Sequence, residues 1–455
     1  MLVARWPVLQ SRIMPAPVFP HAAVASPHYL ASSAGLTALA RGGNAVDAAV
    51  ATNLVLAVVY PHMCGVGGDL FAMVWNEGEL SGLNSSGRLP AAAPNVADGF
   101  SLPGGRDGDT PRVSRHGVGS ATVPGAVAGW KALLDRYGTM PLPELAKPAI
   151  RLAREGCPRA PGLDKLTKAF ASLLERDTEA KRIYLAEGPL VQANLADTLG
   201  DLDSFYRGPV AQRAPEPFTP DDFAEHRAEW VETERTHWRG IEVCEMPPNS
   251  RGHLALRALE RLAPLDGLTP ADPEWHLRQI RAVDDATGHG DTIYLCTRDE
   301  QGMAVSLNQS LFEAFGSGVV VPGTGVLLHN RAAYFKPHEY APKARPTHTL
   351  APAMALRDGE PRLIFGTMGG ETQIQIHLQI LSRVFIAGQD VGDAIAAPRW
   401  VRREGQLFAE PGLPDIGAEP LAVPDLAGHA HAILVERGHL AAAFDPRSDG
   451  AAVGY

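Results

Sequence analysis

Apolar residues recur at roughly helical spacing within residues 28–41 of the chain. Gly42-Gly43 ends this predicted helix, because glycine tolerates the left-handed conformation that a helix terminus often needs. Asn44 then stands at the cap position of a second predicted helix, residues 45–59, whose apolar residues lie on every side. A helix without a polar face predicts burial, so we expect this segment in the core of the protein.

The pattern becomes extended after the second helix. Residues 70–75 (LFAMVW) predict a strand that turns at Asn76-Glu77-Gly78, and residues 100–117 are rich in glycine, proline and charge, which is typical of a surface loop. The next segments predict, in order, a helix within 122–138, mostly helical structure over 144–235, a strand over 236–247 and a helix over 253–262.

From residue 292 onward the pattern is mainly that of strands. Residues 292–298 and 303–309 are two apolar strands joined by Asp-Glu-Gln-Gly, a strong hairpin signal. Further strands are predicted over 350–356 and 361–366, followed by a helix over 371–387. Antiparallel hairpins mixed with packed helices indicate an α+β sandwich. The chain contains no internal repeat and no long low-complexity linker, so we expect one interwoven domain rather than two separable ones.

Composition and charge narrow the classes of function. Hydrophobic residues make up 45% of the chain and charged residues 20%, which is ordinary for a soluble globular protein. The formal net charge is −10, and no run of lysine or arginine provides the basic face that nucleic acid or an anionic membrane needs. No segment approaches 18 consecutive apolar residues, and the N-terminus has no apolar stretch of signal-peptide length. We therefore expect a cytoplasmic protein without nucleic-acid or membrane partners.

Metals, cofactors and disulfides are not indicated by the sequence. The four cysteines show no CxxC spacing, and buried free thiols are favoured over two disulfides. No HExxH motif or comparable cluster suggests a catalytic metal. The GVGGD segment (65–69) lacks the Lys-Ser/Thr ending of a phosphate loop, so it predicts close backbone packing instead. No cofactor is expected.

A series of short motifs carries a family resemblance along nearly the whole chain, from about residue 26 to Tyr455. The motifs are GGNAVDAAVA (42–51), GVGGDLF (65–71), VPGAVAGW (123–130), PAIRLAREG (148–156), MPPNSRG (246–252), the strand from Thr292, FGSG (315–318), GVLLHN (325–330), GTMGGE (366–371), PRW (398–400) and DPRSDGAA (445–452). In this order they resemble the γ-glutamyltranspeptidase family. The resemblance implies the four-layer αββα fold of N-terminal nucleophile hydrolases.

The resemblance also implies that the chain cuts itself between Asp291 and Thr292. The products would be a large subunit, residues 1–291, and a small subunit, residues 292–455, which remain together as one interwoven domain because their strands share one core. A homodimer is left open. A threonine hydroxyl is a poor nucleophile without a base, and the α-amine of an N-terminal threonine can serve as that base. The same nitrogen inside a chain is an amide, so activity requires the cut.

Three further residues complete the catalytic group by resemblance. The backbone N–H groups of Gly369 and Gly370 would stabilise the oxyanion of the tetrahedral intermediate. Ser310 matches a family threonine whose hydroxyl positions the nucleophile. A simple strand-to-helix turn is the structural alternative for the glycine pair. His289, close before the cut, is interpreted as a turn residue rather than as a participant.

The residues that hold a γ-glutamyl group in the family do not carry over. Ser86 stands where the family has an arginine for the α-carboxylate, and Arg88, two residues later, could replace it if the loop shifts. The aspartate for the α-amino group is missing, since Ala333 and Tyr334 precede Phe335. The chain therefore belongs to a divergent branch that lacks the usual γ-glutamyl clamp.

Other positions of the clamp have changed as well. Phe312 replaces a family asparagine, and His348-Thr349 replaces a pair of serines. His348 and Thr349 are candidate substrate contacts, although a loop histidine with a structural role is the favoured alternative for His348. Arg331 follows LLHN in the wall where the family binds the amino group. Its guanidinium suits a carboxylate in bidentate fashion, while a structural ion pair is an equal alternative.

The sequence leads to three hypotheses. The first is an autoprocessed amidohydrolase or acyltransferase that cleaves γ-glutamyl compounds such as glutathione, or related small-molecule acyl amides, through an acyl-enzyme on Thr292. The second is an acylase of the glutaryl or cephalosporin type, acting on dicarboxylic acyl amides without an α-amine. The third is a catalytically inactive binding homologue, which would stay a single uncut chain.

Overall fold

The computed structural model describes residues 14–94, 106–107, 110–111, 113–283, 291–421 and 424–455. Its helices are α1 (Tyr29–Ala40), α2 (Ala45–Val59), α3 (Ala126–Tyr137), α4 (Leu142–Glu155), α5 (Pro161–Ala169), α6 (Ala171–Leu174), α7 (Thr178–Tyr184), α8 (Ala193–Gly200), α9 (Pro209–Arg213), α10 (Pro220–Glu225), α11 (His253–Arg261), α12 (Pro273–Ala282), α13 (Gln373–Phe385) and α14 (Val391–Ala396). None of these helices is long and apolar enough to cross a membrane.

The strands in the described part of the chain come from both halves of the sequence. They are β1 (Val18–Phe19), β2 (Ala23–Ser26), β3 (Asp69–Asn76), β4 (Glu79–Ser85), β5 (Arg106–Asp107), β6 (Thr110–Pro111), β7 (Glu229–Val231), β8 (Glu234–Trp238), β9 (Ile241–Glu245), β10 (Asp291–Arg298), β11 (Ala304–Phe312), β12 (Val320–Val321), β13 (Val326–Leu327), β14 (Ala353–Arg357), β15 (Glu360–Thr367), β16 (Trp400–Arg403), β17 (Gln406–Ala409), β18 (Glu419–Pro420), β19 (Ala430–Glu436), β20 (His439–Ala443) and β21 (Ala451–Gly454).

Two antiparallel seven-stranded sheets form the centre of the fold. The first sheet has the order β21-β2-β10-β11-β3-β4-β7, and the second has the order β1-β20-β19-β15-β14-β9-β8. Each sheet contains strands from before residue 291 and strands from residue 291 onward. The two parts of the chain therefore share every layer of the sheet structure.

Alternation along the strands explains why the sheets pack face to face. In β3, Phe71, Met73 and Trp75 contact the second sheet, whereas the intervening Leu70, Ala72 and Val74 contact helices. The helices that cover the first sheet include α1–α4, and α11–α14 cover the outer face of the second sheet. This arrangement of helix, sheet, sheet and helix layers confirms the predicted αββα sandwich.

Helix α2 is the buried helix that the apolar pattern predicts. Asn44 accepts hydrogen bonds from Val46 N and Asp47 N, and the Asp47 carboxylate accepts one from Asn44 N, so the helix begins with a capping box. Every residue of α2 is buried, between α1, α4 and the strands β10 and β11. The helix thus backs the strand that carries Thr292.

Several elements differ from the sequence-based prediction. Residues 236–247 fall in two strands, β8 and β9, because the chain reverses at Arg239-Gly240, where both residues have positive φ. The predicted helical stretch ends before β7, and the strands after residue 400 were not predicted. Much of the predicted loop 100–117 lies outside the described residues. The four cysteines are buried free thiols, as expected.

A buried ion cluster closes the C-terminal part of the second sheet. Asp445 is fully buried and accepts hydrogen bonds from Arg399 Nη2 at 2.7 Å, Arg447 Nη1 at 3.0 Å and Ala430 N at 2.8 Å. Although burial alone would raise it, the pKa of Asp445 is held well below its ordinary value by the two guanidinium groups. The carboxylate therefore stays charged and ties the PRW and DPRSDG segments together.

We predict that Asp445→Asn lowers the stability of the protein by on the order of 3 kcal/mol, because the buried Arg399 loses its charge partner and Arg447 keeps only Glu410. Asp203→Asn is the matched control, since Asp203 pairs with Lys131 at 2.6 Å but its side chain is 80% exposed. The control should change stability by less than about 0.5 kcal/mol. Urea denaturation midpoints measure both effects, and equal midpoints would contradict the structural role of Asp445.

Candidate active site

Thr292 lies near the start of β10 and is almost completely buried, with 1% of its surface exposed. The pairing of β10 with β11 shifts register between Asp291 and Ile293, so Thr292 sits at an irregular position of the strand. Its Oγ1 donates to Ser310 Oγ at 3.3 Å, and Ser310 Oγ accepts from Phe312 N at 2.6 Å. The structure thus brings together the two hydroxyl groups that the sequence predicts to act together.

The predicted oxyanion glycines form the turn between β15 and α13. Gly369 has φ +131° and Gly370 has φ +58°, conformations that side chains disfavour, and a β-carbon on Gly369 would lie 2.6 Å from Thr372 Oγ1. Gly369 O accepts from both the amide and the hydroxyl of Thr372. A short 3-10 helix and then α13 start here, and the first N–H groups of a helix have no intrahelical partner. This turn is therefore suited to bind an oxyanion.

Asn308 connects the two parts of this group and was missed by the sequence analysis. Its Nδ2 donates to Ile293 O and to Thr367 O, both at 3.1 Å. Ile293 follows Thr292, and Thr367 ends the strand that leads to Gly369. In β11, polar residues occupy alternate positions on a face that is expected to be apolar. This pattern in the sequence could have identified Asn308.

Arg331 is fully buried in a short 3-10 helix, residues 331–334. Its Nη2 donates to Thr349 Oγ1 at 3.2 Å, and its Cζ lies 4.0 Å from the centre of the Phe312 ring. Among the described residues, Nε and Nη1 have no hydrogen-bond partner, and no carboxylate forms an ion pair with the guanidinium. Burial lowers the pKa of Arg331 to about 10, with Asp69 acting in the opposite direction, so the group is charged at neutral pH.

His348 contacts an acidic residue that the sequence analysis did not identify. Its Nε2 lies 3.1 Å from Asp69 Oδ2, and Asp69 Oδ1 accepts from Gly87 N and Gly125 N. Burial lowers the pKa of His348 to about 3, so its imidazole is neutral at pH 7. Burial would raise the pKa of Asp69, but His329, His348 and Arg331 lower it to about 2. Asp69 is therefore the anionic centre beside Arg331.

Glu371, directly after the glycine pair, is a second acidic residue outside the predicted set. One of its carboxylate oxygens accepts hydrogen bonds from Arg251 Nη1 and from Tyr334 OH. The three residues belong to the MPPNSRG loop, the 3-10 helix of Arg331 and the oxyanion turn. This cluster holds the loops together on one side of the glycine turn.

Arg88 does not join the group around Arg331. Its side chain is 51% exposed, and its guanidinium lies 4.0 Å from Glu229 and 3.4 Å from Lys343 O. It lines a surface cleft of about 430 Å³ whose other charged residues are Asp222, Glu225, Arg227, Glu229, Lys343 and Arg345. The side chain of Asp291 and the whole of His289 lie outside the described residues.

A comparison with known protein families matches the parts of the chain that form this site. A family model described as gamma-glutamyltranspeptidase matches residues 31–280 and 268–455. The chain belongs to the γ-glutamyltranspeptidase family. The match spans the buried helix α2, the Thr292 strand and the glycine turn, so the motifs that carry the resemblance lie in the parts of the fold that build the site.

The relatives of this γ-glutamyltranspeptidase-family chain identify it as an enzyme. It is 33% identical to the glutathione hydrolase-like YwrD proenzyme of Bacillus subtilis, over 95% of this chain and 98% of that protein. It is 32% identical to the oxamate amidohydrolase proenzyme of Klebsiella pneumoniae, over 96% of this chain and 98% of that protein. The structure of cephalosporin acylase from Bacillus halodurans superposes on this chain with a TM-score of 0.89 and 29% sequence identity. The superposition covers 99% of this chain and 98% of the acylase. The predicted N-terminal nucleophile hydrolase fold is thereby confirmed.

We predict that Asp69→Asn flattens the pH dependence of stability on the acid side. The folded pKa of Asp69, about 2, lies below the value of about 3.9 for an unfolded aspartate. Its contribution is therefore fully present above pH 4 and is lost as the pH falls toward 2. Denaturation midpoints measured from pH 6 to pH 3 should fall less steeply for Asp69→Asn than for the wild type. Parallel curves for the two proteins would contradict the charged state of Asp69.

Proposed function

We propose that the chain is a precursor that cuts itself between Asp291 and Thr292 and then acts as an N-terminal threonine amidohydrolase on acyl amides. The observation that carries this proposal is the contact between Thr292 Oγ1 and Ser310 Oγ, 3.3 Å long, in a chain of the γ-glutamyltranspeptidase family. Both hydroxyl groups are buried, so their mutual orientation is restrained by packing.

The reaction follows from the chemistry of an N-terminal threonine. The freed α-amine takes the proton of Thr292 Oγ1, and the oxygen attacks the substrate carbonyl. The N–H groups of Gly369 and Gly370 stabilise the negative charge that develops on the carbonyl oxygen. The α-ammonium then gives its proton to the leaving amine, and an acyl-enzyme remains on Thr292. Water, or a second amine, attacks this ester and releases the acyl group.

We propose that residues 1–291 and 292–455 remain associated after the cut. Each seven-stranded sheet contains strands from both fragments, and β10 pairs with β2 of the large fragment and with β11 of the small one. Separating the fragments would break main-chain hydrogen bonds in both sheets and expose the core between them. In this proposal the two fragments together form one interwoven domain.

For the substrate, we propose an acyl group that ends in a carboxylate held by Arg331, with Thr349 and His348 beside it. The buried guanidinium of Arg331 interacts with the charge of Asp69, but its Nε and Nη1 have no hydrogen-bond partner among the described residues. Unpaired buried donors are costly, so a ligand carboxylate that accepts hydrogen bonds from them would be favoured. The relatives named for oxamate and cephalosporin substrates agree with acyl amides beyond γ-glutamyl compounds. Arg88, in the separate surface cleft, is the weaker candidate for this role.

The charges around Arg331 favour the acylase alternative, an acyl group without an α-amine. An α-ammonium needs a free carboxylate, but Asp69 already binds His348 and two backbone amides. Glu371 binds Arg251 and Tyr334 through one oxygen, while its other oxygen has no hydrogen-bond partner among the described residues. A γ-glutamyl group would bring its ammonium close to two arginines, whereas a glutaryl group would bring only the carboxylate.

The first test is maturation. Freshly purified wild-type protein should give two bands on a denaturing gel, and N-terminal sequencing of the smaller one should read Thr-Ile-Tyr-Leu. Thr292→Ala should stay uncut and inactive, while Ser310→Ala should cut and turn over at least tenfold more slowly, because the nucleophile loses its hydroxyl partner. Thr297→Ala, a buried threonine in the same strand, should mature normally. An intact but active Thr292→Ala would reject the mechanism, and an uncut, inactive wild-type chain would favour the inactive binding homologue.

The second test separates the candidate carboxylate ligands. Arg331→Met should lower kcat/KM for a glutaryl anilide by a factor of about 30 or more, because a buried charge partner is lost. Hydrolysis of a butyryl anilide, which has no carboxylate, should be little affected. The kcat/KM of Arg88→Met should stay within about threefold of the wild-type value on both the glutaryl and the butyryl anilide. Equal losses on both anilides, or a larger loss with Arg88→Met, would contradict the role of Arg331.

A further comparison distinguishes the acyl classes. The wild-type enzyme should hydrolyse the glutaryl anilide with a higher kcat/KM than the γ-glutamyl anilide, since Asp69 and Glu371 already accept hydrogen bonds from other groups of the site. A clear preference for the γ-glutamyl anilide would reject the acylase alternative and retain the glutathione-type substrate.

A further inference from the structure

Strand β11 carries an unusual row of polar side chains toward the second sheet. Ser306, Asn308 and Ser310 occupy alternate positions, and all three are buried. At the far end of the same face, Ala304 packs with Trp75 in the apolar interior of the sandwich. The face therefore changes from apolar to polar as it approaches Thr292.

The sheets come close together where this row lies. Gly366 of β15 has no side chain, and a β-carbon there would be 2.4 Å from the ring of Tyr294 on β10. The Tyr294 hydroxyl contacts Ser306 Oγ at 2.9 Å, and Ser306 Oγ donates to Phe365 O at 3.4 Å. Hydrogen bonds thus link the two sheets directly, where a sandwich interior normally holds only apolar contacts.

Asn308 forms the link nearest to the reacting groups. One amide nitrogen donates to Ile293 O in the first sheet and to Thr367 O in the second, both at 3.1 Å. The first carbonyl belongs to the residue after Thr292, and the second lies two residues before Gly369. Both hydrogens of the amide are used, so its orientation is fixed by the two carbonyls together.

Stability alone does not account for an asparagine at this position. Burying an amide in a sandwich interior is costly unless its polar atoms are paired, and Asn308 Oδ1 has no partner among the described residues. An apolar residue, like those on the same face of β3, would avoid the unpaired Oδ1 but would remove the donor that Ile293 O and Thr367 O share. The amide thus fixes these two carbonyls relative to each other at the cost of one unpaired oxygen.

We propose that Asn308 is a positioning residue, which sets the separation between the nucleophile Thr292 and the oxyanion turn Gly369-Gly370. The proposal rests on the proposed function, since it assumes that Thr292 attacks and that the glycine N–H groups bind the oxyanion. Through its two bonds, Asn308 couples the backbone beside the nucleophile to the backbone that leads to the oxyanion turn. A small displacement of either strand would then misalign attack without changing the acyl pocket at Arg331.

The test compares Asn308→Ala with Ser306→Ala, each of which removes one link between the same two sheets. Asn308→Ala should lower kcat for an anilide substrate by a factor of about 10 to 100, leave KM within about twofold and slow self-cleavage. Ser306→Ala should lower the denaturation midpoint by a similar amount but keep kcat within about threefold. Asn308→Ser, which retains a single donor, is the second variant if Asn308→Ala does not fold, and it should show an intermediate kcat.

The outcomes separate this inference from the proposed function. If Asn308→Ala, or Asn308→Ser in its place, loses stability while kcat stays within threefold of the wild type, Asn308 is structural only and the inference fails. Equal losses of kcat in Asn308→Ala and Ser306→Ala would also reject it, because any link between the sheets would then suffice. The proposed function is tested independently by Thr292→Ala, whose activity would reject the mechanism whatever the Asn308 variants show.

Discussion

The proposed mechanism requires Thr292 to become the first residue of a chain, although Thr292 is buried in a central strand of a sheet, and this constraint bears on the structure around it. Strand β10 pairs with β11 along its whole length, but its pairing with β2 is confined to residues 296–298. The strand therefore has neighbours on both sides at its far end and only one near Thr292. A chain end can be placed there without breaking the bonds to β2, while β11 continues to hold the strand.

The same constraint explains the distribution of charge around the site. Loops from distant parts of the chain meet beside Thr292, and buried charged groups fix their positions. Asp69 begins β3 and binds the amides of Gly87 and Gly125 together with His348, so one carboxylate holds three loops. Because the carboxylate is compensated by directed N–H groups, it does not need a direct bond to Arg331. The guanidinium is left with unpaired N–H groups beside the aromatic ring of Phe312.

Local patterns predicted the parts of the fold that depend on neighbours in sequence. Helix α2 followed from Asn44 and an unbroken apolar run, and the β10–β11 hairpin followed from two apolar strands around a polar turn. The split of residues 236–247 was missed because the turn at Arg239-Gly240 is only two residues long. Apart from β19, which has seven residues, the strands from residue 400 onward have two to five residues, which is too few for a clear alternation.

The candidate site was predictable only where a motif carried it. Thr292, Ser310 and the glycine pair were found by resemblance, and the structure places them in contact or in the expected turn. Asp69, Arg251 and Glu371 were not found, since their roles depend on partners far away in sequence: Asp69 and His348 are 279 residues apart. Arg88 and Arg331 looked comparable in the sequence. Only the fold separates them: it exposes Arg88 to solvent and buries Arg331 with two nitrogens that have no hydrogen-bond partner among the described residues.

Polarity along β11 shows how one sandwich serves two requirements. Near Ala304 the interior between the sheets is apolar. Burial there stabilises the fold, but apolar contacts do not fix the positions of individual atoms. Near Ser310 the same face is polar, and directed hydrogen bonds fix backbone atoms of both sheets relative to each other. Hydrogen bonds contribute little net stability, but they restrict geometry in a way that apolar contacts do not. A reaction that needs a hydroxyl and an oxyanion turn at a set separation therefore belongs at the polar end of the strand.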